Sequence, residues 1–290
     1  MINLAGINFR KKELDQKVHD TPLRTFSFTE EILGEGGFSE VLLVHHGYRD
    51  YAVKRFNLYN DDDLHIARLL VCNTRTLAPL LLEYAPFVGI YAFSSGSSTT
   101  PWYLMEAIPG DNLSTLIKDS SLDEDLRRRS IHSYGLMLSF LHNKGKVCYD
   151  NKWSSIIYDS DRDTFRFVDI DLITTPQRGN ILSAIFSKIY SCPYASREQL
   201  EDIDFKDNQN LERPHPFTAD LESFAKMIDF ISYGNTWVGF SDVYTPYVYY
   251  PKERREKLPQ PLQEIVGELL AEQRNDAITI KDMMDAIEKL

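Results

Sequence analysis

Residues 147–172 read VCYDNKWSSIIYDSDRDTFRFVDIDL. Asp150 stands in a polar loop, two apolar runs (Ile156 to Tyr158, Thr164 to Val168) flank acidic turn residues and predict a short hairpin, and Asp169 and Asp171 follow the second run. One carboxylate in a loop and two at a strand end is the layout of a metal-assisted phosphoryl-transfer site. Asp150 can take the proton of an attacking hydroxyl, Lys152 can neutralise a transferring phosphate, and the strand-end carboxylates can hold Mg²⁺, a hard cation that prefers oxygen. The same residues also describe a solvated hairpin with acidic turns. On its own the stretch leaves both readings open.

With 290 residues the chain is long enough for one large domain or two lobes, and 43% apolar residues provide a core. A net charge of −11 argues against nucleic acid or an anionic membrane as the main partner, since both reward dense Lys/Arg surfaces. Three widely spaced cysteines (Cys72, Cys148, Cys192) form neither a disulfide framework nor a zinc pattern, so a reducing, cytoplasmic setting is expected. MINLAGINFRKKELDQ reads as neither a signal peptide nor a myristoylation site, and no uncharged apolar run approaches bilayer length.

Residues 1 to about 25 are polar and weakly periodic, and read as an N-terminal extension. From Phe26 the texture changes to apolar runs separated by tight turns, which predicts antiparallel strands near 26–33, 39–46 and 50–57. The first turn holds Gly34, Gly36 and Gly37, with Ser39 where a third glycine of the GxGxxG spacing would stand. Such glycines let main-chain N–H groups approach a polyphosphate, and they equally serve a plain hairpin. The strand Tyr51-Ala52-Val53-Lys54 then ends on a lysine placed to reach phosphate oxygens beneath the loop.

GEGGFSEV followed by YAVK resembles the nucleotide-binding lobe of eukaryotic-type protein kinases, and later motifs fall in that family's order over about residues 26–290. WYLMEAIPGDNL resembles the strand, hinge and following turn; FLHNKGKVCYDNKWSSII the catalytic loop; FVDIDL the metal-binding segment; CPYASREQL the end of the activation segment, with Glu198 as its glutamate; TADLESFA the helix whose Asp220 braces the catalytic loop. The resemblance implies a two-lobed α+β fold, with a small, mostly antiparallel lobe at 26–108 and a larger helical lobe at 109–290. It implies ATP with Mg²⁺ or Mn²⁺, held by Gly34, Gly36, Gly37, Ser39, Val41, Ala52, Lys54, Met105 as gatekeeper, Glu106, Ile108 and Asn112. Asp150 and Lys152 become the catalytic pair, and Asp169 and Ser155 metal-facing oxygens; Asp171, which stands where the family has glycine, is a further carboxylate two residues on that either faces the same metal or points to solvent. The hydroxyl acceptor is a protein, serine/threonine type from the placement of Lys152, or a small molecule.

Helical periodicity marks a second, helical region, with segments at 113–117, 126–142, 219–232, 262–271 and 280–290. Leu136, Phe140 and Leu141 are assigned to its core and His142 to a structural role. Departures from the family pattern are equally plain. No glutamate lies between Glu40 and Glu83, so the helix after Lys54 offers no carboxylate for the family's lysine–glutamate pair, whose position falls near Thr76. Tyr149 replaces the HRD arginine, Ser155 the second-metal asparagine, Ile170 and Asp171 the last two DFG residues, and Arg197 the APE proline. Two classes fit: a divergent ATP-dependent phosphotransferase, and a pseudokinase that binds nucleotide or nothing and acts as an interaction module.

Overall fold

Alternating apolar residues and tight turns build the first half of the chain into an antiparallel sheet, and stripes of apolar residues build the second half largely from helices. The computed structural model describes residues 7–9, 26–36, 38–58, 61–94, 101–119, 121–176, 194–196, 216–233, 258–271 and 275–290. Gly37, Cys192, Arg197 and Glu198 lie outside them. The chain divides into two units, one of residues 1–109 with 166–171 and one of residues 110–165 with 172–290.

The first unit carries β1 (Ile7–Phe9), β2 (Ser27–Glu35), β3 (Ser39–His46), β4 (Arg49–Phe56), α1 (Asp61–Leu81), β5 (Ile90–Ser94) and β6 (Trp102–Glu106). Its strands form one six-stranded sheet in the order β1-β5-β6-β4-β3-β2, antiparallel throughout. The β1 strand falls within the stretch whose sequence showed no clear periodicity. Successive side chains alternate between faces. One face buries Val44, Tyr51, Val53, Ala92, Trp102 and Leu104 in a cluster with Phe26. The opposite face carries Ala52, Lys54 and Phe56 from β4. Helix α1 buries Ala67, Leu70, Val71, Leu77, Ala78 and Leu81 along a stripe spaced by three and four residues, and Thr74 sits in that stripe fully buried. Residues 166–171 belong to this unit through paired backbone bonds: Phe167 N–H donates to Pro86 O (2.9 Å) and Val88 N–H to Phe167 O (2.9 Å).

In the second unit β7 (Asp111–Asn112) pairs with β9 (Ile156–Asp159), which turns back into β10 (Thr164–Phe167), of which only Thr164 and Phe165 belong to this unit, while β8 (Val147–Cys148) pairs with β11 (Ile173–Thr174). Gly110, just before β7, has φ 116° and a Cβ there would collide with the Tyr158 carbonyl, so only glycine fits. The helices are α2 (Leu113–Lys118), α3 (Glu124–Asn143), α4 (Pro216–Tyr233), α5 (Gln260–Leu270) and α6 (Ile280–Ile287).

Asp123 caps α3 by accepting from Leu126 N–H (2.7 Å). The buried stripe of α3 runs Ile131, Tyr134, Leu138, Leu141, with Met137 beside it. Leu136, assigned to the core from sequence, is 42% exposed, because it lies two residues from Tyr134 and therefore on the far side of the helix. The neighbouring notch at Gly135 admits α6: a Cβ there would stand 2.5 Å from Met284 Sδ and 3.3 Å from Ile287 Cδ1.

Helix α6 starts with a capping box in which Thr279 Oγ1 accepts from Asp282 N–H (3.3 Å) and Asp282 Oδ2 accepts from Thr279 N–H (2.8 Å) and Thr279 Oγ1 (2.6 Å). The Thr279 hydroxyl, followed by the Thr279 N–H, holds the Asp282 carboxyl below its usual range. A depressed carboxyl stabilises the fold above its unfolded pKa and loses that contribution as pH falls through the folded value. Thr279→Ala is therefore expected to lower the unfolding free energy by about 1 kcal/mol at neutral pH. Urea titrations should show the gap from wild type shrinking in acid, once Asp282 is protonated.

Candidate active site

The register of β3, β4 and β6 decides what surrounds Lys54. Val41 stands opposite Lys54, Lys54 opposite Tyr103, and Ala52 opposite Met105. Cross-strand partners share a face, so Val41, Ala52, Lys54, Tyr103 and Met105 lie on one side of the sheet. Ala52 and Met105 are buried, and Lys54 is a buried cation.

Two carboxylates answer that charge, both from residues 166–171. Lys54 Nζ donates to Asp169 Oδ1 at 2.6 Å and also to Asp171 Oδ2. The two carboxylates, two residues apart at the start of a turn, both face Lys54. Burial pulls the Lys54 ammonium toward its neutral form, but the two carboxylates outweigh it and hold its pKa above the usual lysine range. Asp171 is further tied by Tyr103 Oη, which donates to Oδ1 at 2.6 Å, by Thr74 Oγ1 at 3.3 Å from the same oxygen, and by Asn73 Nδ2, which donates to its backbone oxygen at 2.8 Å. Burial, then the Asp171 and Asp169 charges, push the Tyr103 hydroxyl well above the usual tyrosine range, so it remains a donor.

Thr76, the position where the family's glutamate would fall, is turned away: its hydroxyl bonds Cys72 O at 3.0 Å. Thr74, Asn73 and Tyr103 were not singled out in the sequence. The available signal was Thr74 and its neighbour Asn73 inside the apolar stripe of α1, since a buried polar side chain needs a partner.

At the glycine turn Gly34 pairs with Val41, and Gly36 N–H donates to Ser39 O at 2.8 Å. A Cβ on Gly34 would meet nothing within 4 Å, so neither packing nor a positive φ demands glycine there. At the end of β6, Glu106 N–H donates to Gly89 O (2.8 Å), and the Glu106 carboxylate pairs with Arg166 Nη2 (2.5 Å). Ile108 is half-buried in the following segment.

The second unit holds the other candidates. Asp220, on α4, is a buried carboxylate that accepts from Cys148 N–H (2.8 Å) and Asn151 Nδ2 (3.0 Å) and lies 3.1 Å from His142 Nε2. Burial raises its pKa against the opposing pull of those partners. Asn151 also donates to Cys148 O (2.8 Å) and accepts from Tyr134 Oη (2.5 Å), and the fully buried Trp153 donates from Nε1 to Met227 O (2.9 Å). These bonds fix the loop on either side of Asp150 and Lys152, which pair with each other through Asp150 Oδ2. Asp150 Oδ1 and Ser155 Oγ are buried without a hydrogen-bond partner. Asn112 spends its side chain on capping α2, accepting from Thr115 N–H at 3.0 Å.

Among the described residues no group of three or more His, Cys, Asp and Glu forms a metal cage, and no helix is long and apolar enough to cross a membrane. A Mg²⁺ ion is often held by one or two carboxylates with the remaining oxygens from phosphate and water, so Asp169 fits such a role without a cage. No protein-family model matches the chain, and no curated protein matches it.

The Asp220 network yields a direct expectation. Asp220→Ala leaves the Cys148 N–H and the Asn151 amide without their acceptor in a buried site, at about 1–3 kcal/mol for each unsatisfied group. Chemical denaturation should show a loss in that range or above, with Asp220→Asn losing less because one oxygen remains.

Proposed function

We propose that the chain is a divergent, protein-kinase-like phosphotransferase that binds ATP with Mg²⁺ or Mn²⁺ and transfers the γ-phosphate to a hydroxyl group of a protein or a small molecule. The observation that carries this reading is the Lys54–Asp169 pair. A buried lysine on a sheet face beside a glycine turn meets the aspartate of FVDIDL, distant in sequence, and no apolar core requires either charge.

In this reading Lys54 binds phosphate oxygens, the Gly34–Ser39 turn lets main-chain N–H groups approach them, and Val41, Ala52 and Met105 supply an apolar surface for a base. Asp169 would hold the cation, which would supply charge neutralisation to the phosphates. The acceptor oxygen attacks the γ-phosphorus, the bond to the β–γ bridging oxygen breaks, ADP leaves, and Asp150 takes the hydroxyl proton. An otherwise unpartnered buried carboxylate oxygen on a clamped loop suits that last role. Lys152 offsets the charge of the moving phosphoryl group.

Two observations favour the second reading, a non-catalytic pseudokinase that binds nucleotide or nothing and acts as an interaction module. Asp150 and Lys152 neutralise each other, and Ser155 supplies only a neutral oxygen where a second cation would sit.

Thermal melting and radiolabel transfer separate the two. With excess ATP and Mg²⁺ the melting temperature should rise with the logarithm of ligand concentration, and the rise should vanish in Lys54→Met. Transfer of labelled γ-phosphate should fall by about 10²- to 10⁴-fold in Asp150→Asn. A melting shift without transfer selects the non-catalytic module; the absence of both signals refutes the phosphotransferase and leaves only a module that binds no nucleotide.

A further inference from the structure

The geometry points to a division of labour between the two aspartates of one segment: Asp171 is the fixed partner of Lys54, a positioning residue, and Asp169 is the carboxylate that turns to an incoming cation. The inference rests on the phosphotransferase reading and deepens it. It assigns Asp171 a task other than metal ligation.

The two carboxylates share Lys54 but not their surroundings. The Asp169 side chain is 24% exposed and that of Asp171 is 5% exposed. Every polar atom of the Asp171 carboxylate is engaged: Oδ2 with Lys54, and Oδ1 with Tyr103 Oη and Thr74 Oγ1. Its backbone oxygen is held by Asn73. These partners come from β4, β6 and α1, so shifting Asp171 toward a cation would break bonds to three elements and strand buried donors. Keeping it in place costs nothing further. Lys54 then retains one carboxylate when Asp169 leaves it, and its ammonium stays positioned on the sheet face. Helix α1 contributes two neutral groups, Thr74 Oγ1 on the carboxylate and Asn73 Nδ2 on the backbone oxygen, which orient Asp171 in the way that outer partners orient a ligand.

The experiment measures binding, not turnover. ATP affinity is determined by calorimetry in EDTA, and Mn²⁺ affinity of the protein–ATP complex by electron paramagnetic resonance, for wild type, Asp171→Asn and Asp169→Asn. Asp171→Asn is expected to weaken metal-free ATP binding by about ten- to a hundredfold, the worth of a charged hydrogen bond, with Mn²⁺ affinity held within about twofold. Asp169→Asn is expected to do the reverse. Loss of Mn²⁺ affinity in Asp171→Asn, or unchanged metal-free ATP binding, overturns the assignment. If Asp171→Asn does not fold, Tyr103→Phe replaces it: weaker metal-free ATP binding sustains the assignment and unchanged binding overturns it.

A denaturation cycle on Lys54→Met, Asp171→Asn and the double variant needs no ligand. A double variant less destabilised than the sum of the singles supports the fixed pair, and additivity refutes it. Should wild type bind no ATP at all, the phosphotransferase reading fails by itself, and this cycle still judges the pair.

Discussion

A lysine buried in an antiparallel sheet is the constraint around which the first unit is arranged. An ammonium taken out of water is tolerated only if opposite charge and hydrogen bonds meet it in place. Lys54 obtains both from residues 166–171, which enter the unit by backbone pairing at Phe167 and present Asp169 and Asp171 two residues apart. The requirement spreads outward. Asp171, with one oxygen on Lys54, needs donors for the other, and Tyr103 on β6 and Thr74 on α1 are those donors. A single buried charge thus ties together two strands, a helix and a distant segment.

The second unit solves the opposite problem with the opposite sign. Asp220 is a buried carboxylate that accepts from a backbone N–H and an amide, with the His142 ring 3.1 Å away. These bonds make the carboxylate an acceptor that organises backbone. Asn151 then passes the constraint on, bonding Cys148 O and Tyr134 as well as Asp220, so the residue between the candidate catalytic groups is itself immobilised. Asp150 and Lys152 project from a loop whose intervening positions are spoken for.

What the sequence disclosed follows from how local each signal is. Strands β2, β3 and β4 and the glycine turn were legible because alternation and turn residues act within a few positions, and Lys54 stood within a readable strand. The role of Asp220 was legible only through a resemblance, and its bonds bear that placement out. Thr74 and Asn73 were missed because a threonine and an asparagine inside a helix carry no periodic signal of their own; only their position on a buried stripe marks them. Leu136 was misassigned because its four-residue spacing to Phe140 reads as a core stripe, whereas the buried stripe runs through Ile131, Tyr134, Leu138 and Leu141 and leaves Leu136 exposed and Phe140 half-buried outside it. The short strand Ile7–Phe9 has no local pattern to announce it and exists through pairing with β5. Membership of Arg166–Asp171 in the first unit was likewise unreadable, since it depends on partners about eighty residues earlier in the chain.

The segment 166–171 is held at both ends and in the middle by different forces, and this sets what its one accessible carboxylate can do. At one end Arg166 pairs with Glu106 and donates to Phe87 O at 3.3 Å. At the other Asp171 is bonded to Lys54, Tyr103 and α1. Between them Phe167 and Ile170 are buried in apolar contacts, Ile170 at 1% exposure. The backbone around Asp169 is therefore fixed on each side while its side chain reaches the surface. Such a carboxylate can exchange one cationic partner for another by rotating about its own side-chain bonds, with no rearrangement of the chain. A neighbouring carboxylate locked on the lysine makes that exchange affordable, because the buried ammonium is never left alone.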